Sequence, residues 1–198
     1  RRSSWRARPT GRHDMRLFVA ASFPDAVTQE LNRRVMTVKP KLGPASYVRP
    51  ETQHLTFAFL GEQDESVLSR LGTEIGLRLR STLPFEARFR GCGFFPNARR
   101  ARVGWIGLEP EKPFFDVAGK VREGVAAAGI QLDETQFKPH LTILRIRDHW
   151  PHGCIEAFEK ALGSYDSEPF TVDSVTLYSS KLDPAGAIHT AVKKFAFA

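Results

Sequence analysis

A tetrapeptide occurs twice in this chain, as HLTF at residues 54–57 and as HLTI at residues 140–143. Apolar residues alternate with His and Thr in both copies, which is typical of a half-buried β-strand because successive side chains point to opposite faces. His54 and Thr56 would therefore share one face of the first strand. The opposite, apolar face would hold Leu55, Phe57 and Phe59.

The second copy repeats this arrangement with His140 and Thr142. One His-x-Thr pattern is weak evidence because it often arises by chance, whereas two matched copies with apolar partners are informative. Imidazole titrates near neutral pH, so two histidines in one cleft can hold opposite protonation states. The repeat therefore predicts a symmetric acid-base site built from two strands.

The chain has 198 residues, of which 41% are hydrophobic, and this length suits one domain with a single core. No apolar run is long enough to cross a bilayer or resembles the centre of a secretory signal. We therefore expect a soluble protein located in the cytoplasm.

The net charge of +7 is concentrated at the N-terminus, where residues 1–14 carry +4 and leave +3 for residues 15–198. The first fourteen residues show no hydrophobic period. A basic arm for nucleic acid is one interpretation, and a disordered or non-native extension is the one we favour. Residues 15–198 would form the folded domain, which is mildly basic and compatible with a polyanionic partner.

Strand and helix patterns alternate along the chain, with strand pairs late in each half. A strand at residues 16–21 precedes a helix opened by Pro24 and Asp25, and the first motif strand is expected to end at Gly61. The apolar phase slips between Val172 and Val175, which indicates a β-bulge. This order favours an α+β duplication over a doubly wound parallel sheet.

Five sequence blocks in this order resemble the 2H phosphoesterases, which are named for two His-x-Thr-x motifs. Within them the chain looks most like the LigT-like RNA 2',3'-cyclic phosphodiesterases, once described as 2'-5' RNA ligases. The blocks are MRLFVAASFP (residues 15–24), HLTFAFLGE (54–62), FPNARRARVGWIGL (95–108), FKPHLTILR (137–145) and VTLYSSKLDPAGAIH (175–189).

The resemblance implies a bilobal α+β fold in which two antiparallel-rich sheets face each other across a central cleft, with helices outside. It implies hydrolysis of a 2',3'-cyclic phosphate at an RNA end to the 2'-phosphate, with no metal and no cofactor. It also assigns His54 as the proton donor and His140 as the proton acceptor. The Thr56 and Thr142 hydroxyls would donate hydrogen bonds to the nonbridging phosphate oxygens, where charge gathers in the transition state.

Four further residues are candidates for substrate binding. Arg145 follows the second motif, but strict alternation places it on the face opposite His140, so a phosphate contact requires a bulge and a surface salt bridge is the alternative. Phe18 is a candidate for stacking on a base, with a core role as the alternative. Arg100 and Arg102, in the turn region at the start of the third block, would contact the RNA backbone or lie in solvent.

We predict the first of three functions and keep the other two as its alternatives. The first is hydrolysis of RNA ends, with tRNA fragments or cyclic nucleotides among the candidate substrates, by a monomeric enzyme. The second is the reverse reaction, which joins a cyclic end to a 5'-hydroxyl through a 2'-5' bond. The third is an RNA-binding module whose histidines no longer catalyse.

Overall fold

The computed structural model describes residues 14–132, 136–183 and 186–198, so residues 1–13 of the predicted extension lie outside the described part. The described residues form an α+β fold with two antiparallel sheets, as predicted. In chain order the main elements are β1 (Asp14–Ser22), α1 (Asp25–Val38), β2 (Ala45–Tyr47), β3 (His54–Asp64), α2 (Leu68–Leu79), β4 (Phe85–Phe95), β5 (Val103–Glu109), α3 (Glu111–Ala127), β6 (His140–Ile146), α4 (His152–Leu162), β7 (Phe170–Val172), β8 (Ser174–Asp183) and β9 (Gly186–Ala196).

Each sheet forms a lobe together with one pair of helices. In the first lobe the strand order is β3-β1-β8-β9, and α2 and α3 pack on each other and against this sheet. In the second lobe the order is β2-β6-β5-β4-β7, and α1 and α4 pack together, with α4 against β4. Each lobe contributes one motif strand, β3 or β6, as the resemblance implied. Neither lobe is continuous in sequence, because α1 and β2 cross into the second lobe and β8 and β9 return to the first.

Helix α2 buries Leu71, Ile75 and Leu79, which recur every four residues on one face. Its contact with α3 is close enough to require a glycine, since a Cβ on Gly124 would lie 2.8 Å from the Ile75 Cα. Helix α3 ends before Gly129, whose φ of 89° allows the chain to leave the helix.

Two predictions about strand boundaries are wrong. The phase slip near Asp173 is a crossing between sheets, because β7 belongs to the second lobe and β8 to the first. Gly61 does not end β3, which continues to Asp64. Its φ of 70° instead fits an irregularity in the pairing of β3 with β1, which a glycine accommodates without steric cost.

No α-helix in residues 14–132, 136–183 or 186–198 is both long enough and apolar enough to span a membrane.

Candidate active site

The two motif strands approach each other, and their polar faces line one cleft of about 970 Å³ between the lobes. His54 and Thr56 are half-buried on the cleft face of β3, and His140 and Thr142 are half-buried on that of β6. The intervening apolar residues are buried, namely Leu55, Phe57, Leu141 and Ile143. The alternation read from the sequence therefore places all four predicted polar side chains in the same cleft.

Each histidine is held by a carbonyl two residues earlier. The His54 Nδ1 lies 2.8 Å from the Thr52 carbonyl oxygen, and the His140 Nδ1 lies 2.7 Å from the Lys138 carbonyl oxygen. A carbonyl can only accept a hydrogen bond, so Nδ1 carries the hydrogen in both rings. Nε2 is then the nitrogen that each ring offers to a ligand in the cleft.

The pKa of both imidazoles is lowered from the ordinary value of 6.5, and burial is the largest cause. The hydrogen bond to the backbone carbonyl opposes this by raising each pKa. Electrostatic repulsion lowers each pKa further, from His189 and Arg145 for His54 and from Lys138 and Arg145 for His140. Both rings are therefore mainly neutral at pH 7, with a lone pair on Nε2.

Arg145 reaches the cleft because β6 contains a bulge. Gly104 of β5 pairs with Leu144 and Trp105 pairs with Thr142, so Ile143 is an extra residue in β6. The extra residue returns Arg145 to the face of Thr142, where its exposed side chain lines the cleft. The structure therefore favours the phosphate-contact interpretation, and in the described part of the chain Arg145 has no carboxylate partner.

A matching bulge in β3 brings Phe59 into the cleft. Val19 of β1 pairs with Ala58 and Ala20 pairs with Thr56, so Phe57 is the extra residue. Phe59 is 72% exposed and lines the cleft, which makes the prediction that it shares the buried face of β3 wrong. The stretch after Thr56 is apolar throughout, so the change of phase is invisible in the sequence.

The prediction that Phe18 stacks on a base is not supported by its position. Phe18 is 3% exposed, and its ring packs 5.0 Å from His54 and 5.3 Å from Tyr178 between centroids. Phe18 therefore offers very little exposed surface on which a base could stack. Phe18 instead supports the first-lobe wall of the cleft, which is the core role that the sequence left as the alternative.

His189 in β9 is a third histidine on the cleft wall. Its ring lies edge-on to His54, with centroids 5.3 Å apart, and 4.9 Å from Phe18. Burial lowers its pKa, and its Nδ1 is buried with no hydrogen-bond partner among the described residues. Both observations favour the neutral ring, so His189 adds a polar wall beside His54.

Aromatic residues of the second lobe support His140. The Phe95 ring packs edge-on at 4.8 Å from His140, and Trp105 lies 6.4 Å away. The Lys138 Nζ sits 4.0 Å above the Trp105 ring, where the cation is attracted to the π face. Gly93 leaves room for this indole, since a Cβ there would lie 2.5 Å from Trp105 Cζ2.

Arg100 and Arg102 are exposed in the turn between β4 and β5, and their side chains are not part of the cleft lining. Their contact with an RNA backbone stays a prediction. The arginines that do line the cleft beside Arg145 are Arg49 and Arg147, which the sequence analysis did not single out. The spacing of Arg147 from Arg145 was a readable signal, because residues two apart on an extended chain share a face.

The charged side chains that line the cleft are all basic among the residues that the structure describes. These lining residues include three arginines and three histidines and no Asp or Glu. Within the described ranges, no group of three or more His, Cys, Asp or Glu side chains is arranged to hold a metal. His149 and His152, the other histidine pair in the sequence, are exposed and do not line the cleft. The donors in the cleft therefore suit an anion.

The chain is similar to proteins of known family. Residues 18–184 match the family model described as the 2'-5' RNA ligase superfamily. A Methanothermobacter thermautotrophicus protein named RNA 2',3'-cyclic phosphodiesterase is 30% identical over 181 residues, or 91% of this chain and 98% of the relative. The Archaeoglobus fulgidus protein of the same name is 33% identical over 184 residues, covering 91% of this chain and 99% of that protein.

Solved structures have the same fold. A Thermus thermophilus protein superposes with a TM-score of 0.75 at 31% identity, over 92% of this chain and 98% of the other. Escherichia coli LigT in complex with 3'-AMP superposes with a TM-score of 0.74 at 24% identity, over 94% and 99%. At this identity, the similarity to the Escherichia coli structure shows a shared fold and nothing more.

Proposed function

Because the chain belongs to the 2'-5' RNA ligase superfamily of 2H phosphoesterases, we propose that it is an RNA 2',3'-cyclic phosphodiesterase. It would hydrolyse the cyclic phosphate at an RNA end to a 2'-phosphate, with His54 as general acid and His140 as general base. The relatives that carry this activity in their names span nearly the whole chain.

The observation that carries the proposal is the matched setting of the two imidazoles. Each has Nδ1 fixed on a backbone carbonyl and Nε2 left for the cleft, and Arg145 is close enough to lower the pKa of both, after burial as the main cause. A bound phosphodiester would carry its negative charge between these three groups. Its charge would raise both pKa values and allow one ring to be protonated while the other stays neutral.

In the reaction the neutral His140 accepts a proton at Nε2 from water as the water oxygen attacks phosphorus. The bond from phosphorus to the 3' oxygen breaks on the opposite side. Protonated His54 gives the proton on its Nε2 to that oxygen, which leaves as a hydroxyl group and keeps the phosphate on the 2' oxygen. The Thr52 and Lys138 carbonyls hold the rings in place throughout, because each accepts from Nδ1 in both protonation states.

Charge gathers on the nonbridging phosphate oxygens as water adds. Thr56 and Thr142 flank the two histidines on the cleft face and would donate their hydroxyl hydrogens to these oxygens. Arg145 supplies a full positive charge, and its planar guanidinium can hold two phosphate oxygens at once. We expect loss of a threonine hydroxyl to cost less than loss of Arg145, because a hydrogen bond from a charged donor is the stronger one.

Phe59 is the most exposed aromatic side chain of the described cleft lining and replaces Phe18 as the candidate for stacking on a base. It is open to solvent and stands on the opposite wall from Arg145. Unpaired bases stack on exposed aromatic side chains with little dependence on sequence. We propose that the terminal base stacks on Phe59 while its phosphate lies between the histidines.

The test uses an oligonucleotide ending in a 2',3'-cyclic phosphate, incubated with the protein in the presence of EDTA. A 2'-phosphate product supports the proposal, whereas a longer product with a 2'-5' bond would favour ligation and unchanged bound RNA would favour a binding module. His54→Ala and His140→Ala should each lower kcat by roughly two to four orders of magnitude. His149→Ala removes an exposed histidine outside the cleft and is the matched control. Near-normal turnover by either motif variant would rule out the acid-base assignment.

A further inference from the structure

The cleft extends beyond the two histidines toward the short edge strand β2. Its volume of about 970 Å³ is at the upper end of the range of roughly 300–1,000 Å³ for small-molecule sites. Residues of β2 and the loop after it line this extension, together with Arg147 just beyond the end of β6. The site therefore has room for more than a cyclic phosphate and its sugar.

Arg147 stands two residues after Arg145, with buried Ile146 between them. Two positions on an extended chain advance roughly 7 Å and return to the same side. Both arginines line the cleft, so it contains two guanidinium groups in series along one wall. This spacing is similar to that between neighbouring phosphates of an extended RNA strand.

The Arg147 side chain is held in position by the neighbouring strand. Its Nε donates to the Ser46 Oγ at 2.9 Å, and its backbone N–H donates to the Pro44 carbonyl at 3.3 Å. In the described ranges no carboxylate lies within ion-pair distance of Arg147, unlike Arg78 with Glu74. The terminal nitrogens of its guanidinium are therefore oriented and available to an anion.

We propose that Arg147 forms a second phosphate subsite, which binds the phosphodiester on the 5' side of the terminal nucleotide. This rests on the proposed function, in which the reacting phosphate lies between His54, His140 and Arg145. The RNA strand then leaves the active site over Ser46, along β2. Arg49, on the same side of the cleft, is already engaged by Glu51 at 3.7 Å, so Arg147 is the principal contact.

The experiment compares adenosine 2',3'-cyclic phosphate bearing a 5'-hydroxyl with the same compound bearing a 5'-phosphate. We expect the 5'-phosphate to raise kcat/KM roughly tenfold in the unmodified protein, as for a hydrogen bond between charged groups. In Arg147→Ala the increase should fall to less than about twofold, because the guanidinium that donates to the 5'-phosphate is gone. The measured quantity is the ratio of kcat/KM for the two substrates, so a general loss of activity affects both values and cancels.

Two further variants make the test specific. Arg80→Ala removes the same charge from an exposed position at the end of α2, outside the cleft, and should keep the full advantage. Arg49→Ala should keep most of the increase in kcat/KM that the 5'-phosphate gives. A ratio near one in the unmodified protein, or a ratio that depends on Arg49 and not on Arg147, overturns the subsite.

A binding measurement separates this inference from the proposed reaction. Calorimetry with His140→Ala would compare adenosine 2'-phosphate with adenosine 2',5'-bisphosphate, neither of which needs turnover. Tighter binding of the bisphosphate that is lost on adding Arg147→Ala supports the subsite even if neither cyclic substrate is hydrolysed. Equal affinity for the two ligands would count against it whatever the activity.

Discussion

Phe59 and Arg145 occupy equivalent positions in the two motif strands. Each is the fifth residue after the motif histidine, and each is turned into the cleft by a bulge at the residue after the motif threonine. The backbone of the two strands is thus repeated, while the side chains that it delivers differ. One wall offers an aromatic face and the other a cation, which matches the two ends of a nucleotide.

The first prediction concerns Phe59. Phe59→Ala should raise KM for adenosine 2',3'-cyclic phosphate by roughly 5- to 150-fold, because stacking of one base contributes about 1–3 kcal/mol. Phe59→Trp should keep KM close to that of the unmodified protein. Steady-state kinetics on the purine substrate and on an analogue with no base would separate stacking from a loss of folded protein, since only the purine substrate should respond.

Phe115→Ala is the matched control for that variant. Phe115 is a partly exposed phenylalanine on α3, outside the cleft. Equal loss for the two substrates in Phe59→Ala would show that the ring supports the strand and does not contact a base.

The sequence was sufficient to predict the structural features that depend on the periodicity of apolar residues. Alternation placed His54 and His140 each on the polar face of a strand, and the order of strand and helix patterns favoured an α+β fold. These patterns are local, so no tertiary information was needed to read them.

The features that the sequence did not reveal depend on which strand pairs with which. A bulge is defined by its partner strand, and the apolar run around Phe59 gives no sign of it. The Ile143-Leu144 pair ahead of Arg145 did carry a sign, because two adjacent buried residues break the alternation. The crossing at Asp173 was read as a bulge because a change of sheet and a bulge both shift the apolar phase.

The second prediction contrasts two glycines of α3. Gly119 has no atom near the position of an added Cβ, so Gly119→Ala should stabilise the protein by about 0.5–1 kcal/mol through helix propensity. At Gly124 the same methyl group would meet the Ile75 backbone at 2.8 Å, so Gly124→Ala should destabilise by about 1–3 kcal/mol by forcing α2 and α3 apart.

Chemical denaturation of the two variants would measure this difference. Turnover of the Gly119→Ala protein should stay normal, because the helix lies outside the cleft. Equal stability changes at the two positions would mean that the helices can separate at little cost.

The third prediction concerns stability and pH. Burial lowers the pKa of His54 and His140 in the folded state below the 6.5 expected when they are exposed, so the unfolded chain binds more protons as the pH falls below that value. The free energy of unfolding should be highest above this range and decrease as the pH is lowered through it. Thermal unfolding followed from about pH 8 to about pH 5 would test this.

Replacing both motif histidines by Gln should flatten this dependence. A residual slope is expected from His189, whose pKa burial also lowers. Added inorganic phosphate should oppose the loss at low pH in the unmodified protein, because an anion between the two rings favours their charged forms. An unmodified protein with constant stability over this range would contradict the burial of the two rings.

The fourth prediction uses one arginine to test the geometry of two histidines. Burial is the main reason that the pKa values of His54 and His140 are low, and the positive charge of Arg145 lowers both further. Arg145→Ala should therefore raise the pKa of both rings together, as followed by NMR titration of their imidazole protons. The Arg80→Ala protein should shift neither. A shift in only one ring would mean that Arg145 does not lie between the two lobes, and the proposed phosphate position would fail with it.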